Sequence, residues 1–141
     1  MTVSCAVRRC ALPRAAAAAL ARRVLRAEGV RDAAVSLSFV GRRRIRSLNR
    51  RYLGHDRETD VIALAMPGAP GPLVGDVYCA PEVAARAARR FGLPVREELR
   101  RLVVHGVLHV LGHEHPEGAA RTRSAMWARQ ERLLRRAGRG R

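Results

Sequence analysis

One stretch decides the fold of this chain, and it reads His105-Gly106-Val107-Leu108-His109-Val110-Leu111-Gly112-His113-Glu114-His115. His105 and His109 are four residues apart and share one face of an α-helix, because the helix repeats every 3.6 residues. Gly112 favours the left-handed conformation in which helices end, and a turn there brings His115 back toward the first two imidazoles. Three neutral nitrogen ligands with an open fourth position are typical of a catalytic zinc site.

Four of the five histidines lie within these eleven residues, on a helix that is apolar on nearly every side. Imidazoles buried in such a helix without partners would destabilise the fold, whereas a metal ion supplies the partner. The pattern therefore predicts that His105, His109 and His115 bind one zinc ion. His113 is an alternative third ligand, although the ten-residue offset from His105 favours His115.

The same spacing occurs in the metzincin zinc proteases, whose motif is H-E-x-x-H-x-x-G-x-x-H. Gly106 stands where those proteases keep their catalytic glutamate. Without that carboxylate, peptide hydrolysis by their route is disfavoured. A metal-dependent hydrolase of another class, such as a peptidase, is nevertheless kept as an alternative.

The composition favours a polyanionic partner. The chain of 141 residues has a net charge of +16 at pH 7, and every basic residue is an arginine. A surplus of this size favours nucleic acid over a membrane surface. Only 4% of the residues are aromatic, which excludes a broad base-stacking platform.

Cysteine usage and hydropathy indicate a cytoplasmic protein. Cys5, Cys10 and Cys79 lack C-x-x-C spacing and are expected to be free thiols in a reducing compartment. No run of eighteen apolar residues occurs, so no transmembrane helix and no membrane association are expected.

The hydrophobic pattern predicts an α+β fold over residues 1–141, as a single domain with a small mixed sheet of about four strands and about five helices. Strands are expected at 2–7, 33–40, 60–66 and 74–80. Helices are expected between Pro13 and Gly29 and at 42–52, 81–91, 95–111 and 117–136. A loop is expected at residues 66–73 from their proline and glycine content, and a basic, disordered tail is expected from about 135.

The histidine stretch resembles the signature H-G-x-L-H-L-x-G-Y-D-H of the YbeY family of bacterial metal-dependent endoribonucleases. The match includes Gly106, and the departures are Val110, His113 and Glu114. A second family block, L-N-x-x-Y-R-G-x-D-x-x-T-D-V-L-S-F-P, is similar to residues 48–67, with matches at Asn49, Tyr52, Gly54, Asp56, Thr59, Asp60 and Val61. A third block, L-G-D-I, is similar to residues 74–77. The resemblance covers roughly residues 35–130.

The resemblance implies zinc-dependent cleavage of single-stranded RNA, with a role in maturing the 3′ end of 16S ribosomal RNA and in ribosome quality control. The implied partners are ribosomal RNA and the small ribosomal subunit. One departure bears on catalysis, because the family's arginine in Y-R-G is Leu53 here. A non-catalytic, zinc-stabilised, ribosome-associated RNA-binding protein is therefore a second alternative.

Three arginines close to Leu53 in the sequence are candidates to contact phosphate in its place. Arg50 and Arg51 are neighbours on a helix, about 100° apart, and cannot both face the metal. Arg57 precedes a strand in a loop that can turn it inward, so we predict Arg57 as the catalytic arginine, ahead of Arg50. No general base stands out, and Asp76 is expected to orient a ligand or to pair with an arginine.

Overall fold

The computed structural model describes residues 2–5, 10–66 and 73–139. It has four strands, β1 (Thr2–Cys5), β2 (Ala33–Phe39), β3 (Val61–Ala65) and β4 (Leu73–Cys79). Its five α-helices are α1 (Arg14–Ala27), α2 (Arg42–Leu53), α3 (Pro81–Arg90), α4 (Val95–Val110) and α5 (Ala125–Arg139), and a 3₁₀ helix spans Gly118–Arg123. The predicted α+β class is confirmed.

The four strands form one mixed sheet in the order β1-β2-β4-β3. β1 pairs with β2 and β2 with β4 in parallel, whereas β3 runs antiparallel to β4. In this register Val35 lies opposite Gly75 and Val77 lies opposite Ala63. In this order β4 is an interior strand, paired with β2 on one side and with β3 on the other.

The two faces of the sheet contact different helices, because successive side chains of a strand point to opposite faces. Val77 and Cys79 of β4 belong to the main core, which α1, α4 and α5 complete. Tyr78 and Ile62 point the other way, toward a smaller cluster formed with α2. The histidine helix α4 and the arginine-rich helix α2 thus lie on opposite faces.

Helix α4 approaches the sheet closely at two glycines. A Cβ atom at Gly106 would collide with Val77 Cγ1 of β4, and one at Gly75 would collide with Val110 Cγ1 of α4. Gly106 is fully enclosed between the helix and the strand. The glycine that replaces the protease glutamate is thus also the residue that lets the helix seat against the sheet.

Helix α4 ends in a Schellman motif, as the sequence predicts. Gly112 has a φ of 97°. Its amide donates to the carbonyl of His109 at 3.0 Å, and the amide of His113 donates to the carbonyl of Leu108, also at 3.0 Å. These two hydrogen bonds satisfy the last carbonyls of the helix and turn the chain back along it.

The C-terminal part of the chain differs from the prediction. The expected single helix over 117–136 is a 3₁₀ helix followed by α5, because Ser124 interrupts the helix and its Oγ accepts from the Trp127 amide at 3.2 Å. The predicted disordered tail from about 135 is wrong as far as Arg139, since α5 continues to that residue with Leu134 buried and Ala137 packed on the core.

The middle of the predicted 66–73 loop, residues 67–72, lies outside the described residues. None of the helices in the described ranges is both long and apolar enough to cross a membrane.

The close contact at Gly106 yields a test by substitution. Gly106→Ala should lower the free energy of unfolding by about 1–3 kcal/mol through overpacking against Val77, although alanine favours a helix over glycine by about 1 kcal/mol. Gly138→Ala in α5 is the matched control, because its Cβ would meet only the tip of Arg100, at 3.6 Å. Denaturant unfolding measures both variants, and equal stabilisation of the two would contradict the packing argument.

Candidate metal centre

Three of the predicted ligands converge beside the C-terminal end of α4. His105 and His109 are one helical turn apart, and the turn at Gly112 returns His115 to them. The ring centroids are 4.6 Å apart for His105 and His109, 5.0 Å for His105 and His115, and 4.9 Å for His109 and His115. One ligand atom of each imidazole lies within 4.8 Å of the others. The cluster is therefore compact enough to hold a metal ion.

His113, the alternative third ligand, is held outside the cluster. Its Nε2 atom lies 2.6 Å from Oε1 of Glu28, at the end of α1. The other carboxylate oxygen of Glu28 accepts from Nη2 of Arg129 at 2.6 Å. The geometry thus favours His115 over His113, because His113 is engaged by a carboxylate from another helix.

Hydrogen bonds fix the orientation of two of the three imidazoles. Nδ1 of His105 lies 2.6 Å from Oε1 of Gln130, whose amide nitrogen donates to Glu131 at 3.2 Å. Since Oε1 can only accept, we assign the proton of His105 to Nδ1. Nδ1 of His115 lies 2.9 Å from the carbonyl of Pro116, which can likewise only accept. In the neutral form of each ring, Nε2 is therefore the nitrogen left for a metal, as in other histidine metal sites.

Burial favours the neutral state that metal binding requires in two of the three histidines, His105 and His109. It lowers the pKa of His105, and it lowers the pKa of His109 to about 4, with the neighbouring histidines adding to the effect. An imidazole with such a pKa is unprotonated at pH 7. Burial also raises the pKa of Asp60, a carboxyl group at the start of β3.

The histidines open into a cleft of about 430 Å³. Its walls come from the end of α2, from β3, from α4 and α5, and from the segment that includes the 3₁₀ helix. The polar and aromatic groups that line it are Thr59, Asp60, Glu98, Arg101, His105, His109, His115, Glu117, Arg121, Trp127 and Gln130, and the aliphatic ones are Leu53, Val61, Ile62, Ala63 and Leu102.

An ion-pair network links α4 to α5 along one wall of the cleft. Arg101 donates to both carboxylate oxygens of Glu131, with its shortest contacts at 3.0 Å. It also contacts Glu98 at 3.1 Å and Glu97 at 3.5 Å. Because Glu131 in turn accepts from Gln130, this network holds the residue that orients His105.

The structure does not place Arg57 at the cleft. Its side chain is exposed and is not among the residues that line the cleft, and its backbone carbonyl accepts from Nδ2 of the buried Asn49 at 3.0 Å. Arg50 and Arg51 do not line the cleft either, and Arg51 lies over the ring of Tyr52. The expectation that one of these three arginines faces the metal is therefore corrected.

The expectation for Asp76 is also corrected. Asp76 lies on the sheet face opposite α4, because it precedes Val77 in β4. Its carboxylate accepts from Oγ of Ser36 in the neighbouring strand at 2.5 Å. Asp76 therefore contacts neither the histidines nor an arginine of the cleft.

Sequence reasoning missed several residues of the cleft, among them Gln130, Trp127 and Arg121. Gln130 is only 1% exposed and lies on the apolar face of α5 with Met126, Leu133 and Leu134. A polar residue among apolar ones at that helical spacing indicates a buried hydrogen-bond partner, so the sequence did carry a signal for Gln130. Arg121 and Trp127 carried no comparable signal, since the 3₁₀ helix that positions Arg121 was not expected.

Comparisons with known proteins agree with the geometry. A family model described as endoribonuclease YbeY matches residues 4–138. A curated protein of that name from Anaeromyxobacter sp. (strain Fw109-5) is 46% identical over 103 residues, which are 72% of this chain and 54% of the relative. Another, from Syntrophotalea carbinolica, is 39% identical over 82% of this chain and 80% of its own length. The chain therefore spans about half the length of the first relative.

A solved structure shares the fold. The solution structure of a Thermotoga maritima protein superposes with a TM-score of 0.65, over 97% of this chain and 89% of the other. The sequences are 24% identical, so this likeness speaks for the fold.

The cluster predicts which histidines retain zinc. Alanine at His105, His109 or His115 should abolish stoichiometric zinc, because two imidazoles leave too few ligands. His113→Ala is the matched control and should keep the metal, since His113 contacts Glu28. The metal content of the purified variants, measured by mass spectrometry, shows which histidines are ligands. Loss of zinc in His113→Ala with retention in His115→Ala would refute this ligand set.

Gln130 should tune the affinity for metal. Gln130→Leu removes the acceptor for His105 Nδ1–H, and removal of such outer partners typically weakens metal binding by about 10- to 100-fold. Gln130→Glu retains an acceptor and should bind metal at least as tightly as the parent. Competition with a zinc chelator gives the affinities, and equal values for the parent and Gln130→Leu would rule out the orienting role.

Proposed function

Because this chain belongs to the YbeY endoribonuclease family, we propose that it is a zinc-dependent endoribonuclease that cleaves single-stranded RNA. In the cell it acts in the cytoplasm on ribosomal RNA of the small ribosomal subunit, in 16S 3′-end maturation and ribosome quality control. The observation that carries the proposal is the cluster of three imidazoles that opens into a cleft lined by arginine, carboxyl and indole groups.

The donor set suits zinc. His105 and His115 present unprotonated Nε2 atoms, and neutral imidazole is a preferred ligand of this ion. Zinc bound by three neutral ligands keeps its full charge and supplies a Lewis acid that polarises a phosphoryl oxygen and acidifies water.

The chain's own residues supply the remaining requirements of phosphodiester cleavage. Gln130 holds the His105 ring in one orientation, so the cluster is organised before RNA arrives. Three carboxyl groups line the described cleft, and since Glu98 pairs with Arg101, we assign proton acceptance to Asp60 or Glu117. Burial raises the pKa of Asp60, which brings its proton affinity closer to that of a general base working near neutral pH.

The charge distribution supports a nucleic-acid substrate. Helix α2 carries six arginines, and two of them, Arg42 and Arg46, form ion pairs with Glu58 and Asp56. For the other four, no carboxylate lies within ion-pair distance in the described ranges; they are Arg43, Arg44, Arg50 and Arg51. Their uncompensated charge attracts a polyanion.

Structural features disfavour the two alternatives. A purely structural zinc site is closed by four protein ligands, whereas the group found among the described residues has three, facing a cleft. A peptidase of the related kind needs a carboxylate after the first histidine. No side chain fits at Gly106, which is pressed against Val77.

The proposal is tested by cleavage of a labelled single-stranded RNA and of the same sequence in a duplex. The zinc-loaded parent should cut the single strand, and His109→Ala should not, while His113→Ala retains activity. Binding of the single strand should weaken with salt, with a log–log slope of roughly −0.7 for each phosphate neutralised. Undiminished cleavage by His109→Ala, or no cleavage by the zinc-loaded parent, would overturn the proposal.

A further inference from the structure

Among the residues that the structure describes, two arginines line the cleft, and their electrostatic environments differ. Arg101 contacts three carboxylates, those of Glu97, Glu98 and Glu131, at 3.0–3.5 Å. For Arg121, no carboxylate oxygen lies within ion-pair distance in the parts of the chain that the structure describes. The charge of Arg101 is therefore compensated within the protein, whereas that of Arg121 remains available to an anion.

Arg121 is held at the cleft by an aromatic side chain. Its Cζ atom lies 5.6 Å from the ring centroid of Trp127, at the start of α5, in cation–π geometry. This stacking leaves the N–H groups at the edge of the guanidinium free to donate to a ligand. Trp127 also lines the cleft, so the pair lies on the wall that RNA would contact.

Arg121 is also electrostatically coupled to the histidine cluster. Burial is the main cause of the lowered pKa of His105, and the positive charge of Arg121 adds to it. The same charge partly offsets the burial that raises the pKa of Asp60. Arg121 is thus within electrostatic range of both a candidate metal ligand and a carboxyl group of the cleft.

Helix α2 contributes Leu53 to the cleft, and this residue carries no charge. It is the last residue of α2, it lines the same cleft and it is 50% exposed. Its aliphatic side chain has no donor for a phosphate oxygen. In the described cleft the uncompensated positive charge is therefore that of Arg121 in the 3₁₀ helix, and α2 contributes none.

We propose that Arg121 contacts the scissile phosphate of RNA in this cleft, donating from its guanidinium to the phosphate oxygens beside the three histidines. This inference rests on the proposed nuclease function. Guanidinium groups bind phosphate through paired N–H donors, and cleavage builds negative charge on the phosphate oxygens. The contact therefore strengthens as the reaction proceeds, which makes Arg121 a catalytic residue.

The test compares Arg121→Ala with Arg123→Ala. Both arginines are exposed in the same 3₁₀ helix, and Arg123 does not line the cleft. Arg121→Ala should lower the cleavage rate by about 100- to 1000-fold at unchanged zinc content, as removal of one transition-state donor typically does. Arg123→Ala should cleave within about twofold of the parent. Arg121→Gln, which keeps most of the side-chain stem, should behave as Arg121→Ala and guards against a folding defect.

A second arm restores a guanidinium from the other wall of the cleft. Leu53→Arg in the Arg121→Ala background should recover at least about tenfold of the lost rate, because the new side chain starts from a residue that lines the same cleft. Equal rates for Arg121→Ala, Arg121→Gln and Arg123→Ala would overturn the proposal, as would loss of zinc in both Arg121 variants.

A binding measurement separates this inference from the nuclease function. In the His109→Ala background, in which cleavage is not expected, Arg121→Ala should flatten the salt dependence of single-stranded RNA binding by about 0.7 in log–log slope, the contribution of one phosphate contact. Arg123→Ala should leave the slope unchanged. If the parent cuts no RNA, the proposed function fails while this comparison still decides whether Arg121 contacts phosphate, and equal slopes for the two variants would refute it.

Discussion

The seating of α4 on β4 is the contact on which the rest of the structure depends. Gly106 of α4 contacts Val77, and Gly75 of β4 contacts Val110. The helix and the strand therefore approach so closely that neither glycine has room for a Cβ atom. Interiors packed at this density transmit small displacements rather than absorb them. Since His105 and His109 belong to the same helix, the depth of this contact also sets where the two imidazoles stand relative to the cleft wall of β3.

The cleft combines two kinds of electrostatic environment. Around the histidines, burial suppresses positive charge on the rings and leaves their lone pairs for a metal. A short distance away, Arg101 is neutralised by carboxylates while Arg121 rests on an indole ring. Histidine donors, a compensated arginine and an uncompensated one therefore line the same cleft.

The local part of this arrangement could be predicted from the sequence. The spacing of His105 and His109 and the stop at Gly112 depend on neighbouring residues only, as do the alternating patterns of the strands. Gln130, Trp127 and Arg121 reach the cleft through the packing of α5 on α4, which spacing along the chain does not specify. Nearness to Leu53 in the sequence favours Arg57, but the fold leaves Arg57 exposed and outside the cleft lining.

The hydrogen bond between His105 and Gln130 joins positions 25 residues apart in the chain. During synthesis all three histidines emerge before Trp127 and Gln130, so a growing chain carries the donor atoms before it carries their support. Such a chain has imidazoles free to rotate and no indole beside Arg121. The support of the cluster is thus added only when α5 docks on α4, after the histidines themselves are already in the chain.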